Sequence, residues 1–178
     1  MNASLSSTSE PKLVERLRAI QALDLDPIKV KIMDREEGRG WTLEQANEAE
    51  RRYKQFLVLK LRYPNRSIVP SKTVDQFWHQ HILDTQKYAE DCQRIFGFFV
   101  HHFPYFGMRG EEDAANLKRC FIESQELLRK EFGEEMSIGA TSAECDSSAC
   151  DGQPSCGSSC TGATLVRSEE RPRLHTNA

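Results

Sequence analysis

No stretch of this 178-residue chain approaches the ~18 consecutive apolar residues that a membrane-spanning helix needs. Basic residues are not in excess: 24 Lys and Arg stand against 27 Asp and Glu, a net charge of −3. No overall basic field therefore argues for nucleic acid. The opening M-N-A-S-L-S-S-T-S-E has no basic segment followed by an apolar one, so it does not read as a secretory signal. These absences predict a cytoplasmic protein with neither a nucleic-acid nor a membrane partner. There is no C-x-x-C-H, so haem is not expected. No segment alternates apolar and polar residues for more than a few positions, which removes the main sign of half-buried strands.

Aromatic residues stop at Phe132. From Gly133 the chain is rich in Ser, Gly, Thr and Ala, with Met136, Ile138, Leu165, Val166 and Leu174 its only bulky aliphatic residues. That is too little apolar surface to offset the entropy of ordering. Residues 1–10 and 133–178 are thus expected to be disordered, and residues 11–132 to form one helical domain. The tail also concentrates negative charge, with seven acidic and three basic residues.

What is present between them is helical pattern. Leu13, Leu17 and Ile20 share a stripe over 11–22, with Pro11 suited to a first turn. Asp26-Pro27 can open a second helix that runs to Met33. Thr42 and Gln45 form a capping-box signature ahead of a third, which ends at Tyr63-Pro64. A fourth helix is predicted from Ser71 or Thr73 to Phe96, stopped by Gly97, and a last one over about 111–132. The fold class expected is all-α, a compact bundle of about five helices.

Four of the five histidines fall in V-D-Q-F-W-H-Q-H-I-L-D and the later V-H-H-F-P-Y-F-G. At ~100° per residue, His81 lies on the apolar face with Val74, Trp78, Tyr88 and Cys92. His79 lies on the opposite side with Asp75. Histidines at i and i+2 of one helix cannot share an ion. His81 and Asp84, three apart on one face, have the spacing of a helical ligand pair. An ion needs more than two protein ligands, so one of His101 and His102 is expected to complete the shell. Neighbours in an extended segment point opposite ways, which excludes the other. Asp75 and His79 then form an outer or separate polar pair. Zinc or iron is the cofactor this donor set implies. The same residues also fit a buried histidine satisfied by a carboxylate in a protein-interaction scaffold with an unidentified protein partner, or metal-free acid–base chemistry. Enzymatic activity is left open.

The run from Thr73 to Gly107 resembles the core of the glycine-rich domain-containing protein-like family, whose members carry V-D-x-x-W-H-x-H-x-L-D-x-x-x-Y-x-x-D-C followed by a histidine-proline segment. The resemblance implies that 11–132 is that domain and that Asp75, Trp78, His79, His81, Asp84, Tyr88, Asp91, Cys92, His102 and Pro104 belong together. It brings no cofactor or substrate with it.

The other chemistry-bearing stretch is E-C-D-S-S-A-C-D-G-Q-P-S-C-G-S-S-C-T-G. Thiolates of Cys145, Cys150, Cys156 and Cys160 suit zinc or a cuprous ion, although the C-x-x-C pairs of a structural zinc site are missing. The cysteines are otherwise incidental to a tether. A third reading makes the helical body a leader and this Cys/Ser/Thr-rich end the core of a ribosomal peptide precursor.

Overall fold

The computed structural model describes residues 9–133 and Arg171, so the expectations for residues 1–8 and for the four tail cysteines fall outside the described residues. Six helices follow one another: α1 Ser9–Gln21, α2 Asp26–Met33, α3 Leu43–Arg62, α4 Lys72–Leu83, α5 Thr85–Phe96 and α6 Glu111–Phe132. Among the described residues there is no strand, so the chain is all-α. None of these helices is long and apolar enough to cross a membrane. The span 11–132, read as one helical domain, groups into two compact units, one of residues 9–62 with 70–103 and one of residues 63–69 with 104–133.

The first unit holds α1–α5. The capping box that opens α3 is made in both directions: Thr42 N–H donates to Gln45 Oε1 at 2.9 Å and Gln45 N–H to Thr42 Oγ1 at 3.2 Å. Two backbone donors at the helix start are thereby satisfied. α3 supplies the middle of the core. Tyr53, Phe56, Leu57 and Leu59 are buried with Ile20 of α1, Ile28 and Ile32 of α2, and Phe77 and Trp78 of α4. Tyr53 packs on Phe77 at 5.4 Å between ring centroids, and Phe56 packs on Trp78 at 5.0 Å.

The single motif helix predicted to Phe96 is two helices. Asp84 separates them with φ −81° and ψ 74°, and its side chain accepts from the Lys87 N–H at 3.4 Å as the N-cap of α5. Its carbonyl accepts from Tyr88 N–H at 2.8 Å. A short carboxylate competes well for backbone donors at a helix start, and here the cap wins over helix continuity. α5 ends where expected, at Gly97, whose φ of +80° closes a left-handed C-cap. Gly97→Ala is expected to cost about 1 kcal/mol, because a Cβ disfavours that conformation. Urea denaturation reads the loss directly.

Beyond Gly97 the chain returns along the unit. The Tyr88 hydroxyl donates to the Val100 carbonyl at 2.6 Å and accepts from Trp78 Nε1 at 2.9 Å. One buried phenol thus ties α4, α5 and the returning segment together, and that fastening delivers residues 101–102 to α4.

In the second unit, Asp113 in the first turn of α6 accepts from the backbone N–H groups of Gly107 and Arg109 at 2.6 and 3.2 Å. It also pairs with the Arg109 guanidinium at 2.7 Å, which holds the Asp113 carboxyl below its usual range. Residues 63–69 lie along the same helix. Val69 N–H donates to Ser124 Oγ at 2.9 Å and the Tyr63 hydroxyl to Glu131 Oε1 at 2.7 Å.

Candidate metal centre

His81 is buried, 1% exposed, as its place on the apolar face of α4 dictates. Its partners are other than the sequence predicts. Nδ1 lies 3.0 Å from the Tyr53 hydroxyl and Nε2 lies 3.1 Å from Asp91 Oδ2. Tyr53 is fully buried and, among the described residues, its hydroxyl has no other hydrogen-bond partner, so the phenol donates to Nδ1 and Nε2–H donates to the carboxylate. Burial pushes the imidazole below its usual range, against the opposing pull of the Asp91 charge. A neutral ring with both nitrogens committed has no lone pair left for an ion. Asp91 is engaged as well, by Lys87 Nζ at 3.0 Å and Arg94 Nη2 at 2.5 Å.

The shell expected around His81 and Asp84 is therefore not formed. Asp84 is exposed and caps α5, and the bend it creates turns its carboxylate to the backbone of its own helix. His101 is exposed, with its ring against Phe99 at 4.9 Å between centroids.

The structure brings Asp75, His79 and His102 together instead. Asp75 sits in the first turn of α4, one residue after Val74, whose N–H the Ser71 cap engages. His79 follows at i+4, the separation that puts side chains on one face of a helix. His102 arrives from the returning segment, its ring 4.6 Å from that of Trp78 and 4.6 Å from that of His79. His102 Nε2 is 3.0 Å from His79 Nε2 and 3.0 Å from Asp75 Oδ1, and His79 Nε2 is 3.6 Å from Asp75 Oδ2. Among the described residues this is the one group of three or more His, Cys, Asp or Glu side chains close enough to share an ion.

The spacing is that of ligands. Donors ~2.0–2.2 Å from a zinc ion at tetrahedral angles lie about 3.4 Å apart, and at octahedral right angles about 3 Å apart. Without an ion, the triangle asks one proton to serve two contacts. An imidazole nitrogen carries either one N–H or one lone pair, never both. As donor to Asp75, His102 Nε2 turns a proton toward His79 Nε2 only by dividing it between two acceptors. As acceptor from His79, it turns a lone pair toward a carboxylate. A cation inside the triangle accepts from all three atoms at once.

Solvent reaches the site unevenly. The side chains of His79, Asp75 and His102 are 44%, 34% and 16% exposed. Two imidazoles and one carboxylate, open on one side, match the ligand count of catalytic zinc sites and of non-haem iron(II) centres. Three protein ligands leave room for water or another small ligand.

Sequence reasoning gave Asp75 and His79 the lesser role because it ranked burial above accessibility. Their i, i+4 spacing was the signal available. It missed Asp91 and Tyr53 as the partners of His81.

The family described as UCP032817-like matches residues 15–131. That match replaces the glycine-rich domain-containing protein-like family suggested by the histidine block: short histidine, tryptophan and aspartate spacings resemble that family, whereas the UCP032817-like match spans the helical body. No curated protein and no solved structure matches the chain.

Proposed function

We propose that this chain, which belongs to the UCP032817-like family, binds a divalent transition-metal ion through Asp75 Oδ, His79 Nε2 and His102 Nε2. One observation carries the reading: three donor atoms from two separate segments converge within 3.0–3.6 Å, where one N–H serves both His102 contacts only by being divided between them. Imidazole with carboxylate suits zinc or iron(II) in preference to calcium or magnesium, which favour all-oxygen shells. A bound ion would hold water at its open position and lower the pKa of that water. Asp75 would neutralise half of the ion's charge, and Trp78 would fix the plane of the His102 ring. The neutral, fully bonded His81 fits a structural role on the opposite face of α4.

The test uses full-length untagged protein in which Cys145, Cys150, Cys156 and Cys160 are changed to serine, so that tail thiols cannot contribute. Cobalt(II) added to this protein is expected to bind one to one and to develop ligand-field bands in the visible. Asp75→Asn is expected to weaken binding by roughly a hundredfold, since it removes the only anionic ligand of three. Elemental analysis of the protein as isolated should find zinc or iron near one equivalent. Cobalt affinity unchanged by Asp75→Asn, or no saturable binding at all, overturns the reading and leaves the triad as a polar cluster of a protein-interaction scaffold.

A further inference from the structure

Two of the three proposed ligands are placed by a helix. Asp75 and His79 both lie on α4, four residues apart, so their spacing is fixed wherever that helix forms. His102 has no such support. Residues 99–103 belong to no helix, and a segment of that kind keeps a side chain in place only through tertiary contacts.

Those contacts come from α5, which supplies no ligand. Tyr88 and Cys92 stand one turn apart on its buried face and between them engage both backbone groups of Val100. The Tyr88 hydroxyl donates to the Val100 carbonyl at 2.6 Å, and the Val100 N–H donates to the Cys92 sulfur. Val100 is itself buried, and a single residue separates it from His102. The same phenol accepts from Trp78 Nε1 at 2.9 Å, and the Trp78 ring centre is 4.6 Å from that of His102. One hydroxyl therefore acts on His102 twice: on its backbone by way of Val100, and on its ring by way of Trp78. Phenylalanine at position 88 would fill the same volume but leave the buried Trp78 N–H and Val100 carbonyl without this partner.

We propose, resting on the metal reading above, that Tyr88 is a positioning residue that sets the affinity of the Asp75, His79 and His102 site by holding His102 in its ligating pose before the ion arrives. Its clasp on Val100 and Trp78 removes in advance the conformational freedom that a loose ligand loses on binding. Groups that orient metal ligands without touching the ion change affinity by roughly ten- to a hundredfold when removed. Linkage makes the effect reciprocal: an ion that needs His102 in place also holds the clasp closed.

The experiment uses the full-length protein with its four tail cysteines changed to serine. Tyr88→Phe is expected to raise the cobalt(II) dissociation constant at least about tenfold, with stoichiometry still at one. A phenol that only stabilised the fold would lower the urea midpoint and leave the cobalt affinity of the folded protein unchanged, and that result overturns the proposal. A second measurement needs no variant and decides the matter if Tyr88→Phe does not fold. Burial pushes the Cys92 thiol above its usual range, so iodoacetamide reaches it when the clasp opens. Cobalt at a hundredfold over its dissociation constant is expected to slow alkylation of Cys92 at least about tenfold, while Cys120, in the other compact unit, keeps its own rate. A Cys92 rate indifferent to cobalt overturns the proposal, and so does equal slowing at both cysteines, which reports stabilisation of the whole chain. Failure of cobalt to bind the parent removes the metal reading and this one with it. Cobalt bound one to one, with an affinity that Tyr88→Phe leaves untouched, removes only this one.

Discussion

His81→Ala is expected to lower the free energy of unfolding by about 3–4 kcal/mol and to leave metal stoichiometry untouched. The imidazole is buried between Tyr53 and Asp91, so truncation opens a cavity and strands the phenol, which reaches no water. Asp91 is better placed, because Lys87 and Arg94 still face it. Thermal and urea unfolding read the first half of the prediction and elemental analysis the second. A variant that stays within about 1 kcal/mol of the parent would deny the buried network its structural role. One that loses its metal while remaining folded would place the ion at His81.

The same residue sets a pH dependence. Burial holds the His81 imidazole below its usual value of 6.5, so the unfolded chain takes up a proton before the folded one does. Stability contributed by the neutral ring is complete above about pH 6.5. It declines as pH falls from there toward the folded-state value, by at most about 1.4 kcal/mol per pH unit for one site. Urea midpoints at successive pH values in this window should show a slope in the parent that His81→Ala lacks. Parallel slopes in the two proteins would assign the dependence to other groups.

Helices were legible in the sequence because their determinants are local. The stripe of Leu13, Leu17 and Ile20, the Thr42–Gln45 box and the stop at Gly97 each act within a few residues. Asp84 shows where that locality misleads. A carboxylate three residues after a histidine reads equally as a ligand and as an N-cap, and only the competition for the Lys87 and Tyr88 N–H groups decides. The wheel still put Tyr88 and Cys92 on the buried face with His81, but with the helix bent at Asp84 it is Asp91, not Asp84, whose carboxylate lies beside His81. The triad was half legible. Asp75 and His79 announce themselves by spacing, but His102 reaches them through the left-handed Gly97 and the Tyr88 bond to the Val100 carbonyl, which are tertiary facts.

His102→Ala should behave in the opposite way to His81→Ala. Without metal, its effect on stability should stay near 1 kcal/mol, because the ring is partly exposed and lies over one face of Trp78. With metal at a hundredfold over its dissociation constant, an ion that binds only the folded chain stabilises the parent by about 2.7 kcal/mol. If losing one of three ligands weakens binding by roughly a hundredfold, the same metal concentration stabilises the variant by only about 0.4 kcal/mol. The metal-dependent gap between the two, about 2 kcal/mol, is what a melting curve with and without zinc measures. A hydrogen-bonded triad that never holds an ion makes a different prediction: His102→Ala would cost the same whether zinc is present or chelated. The comparison thus separates a cluster that owes its geometry to proton sharing from one whose third corner exists to meet a cation.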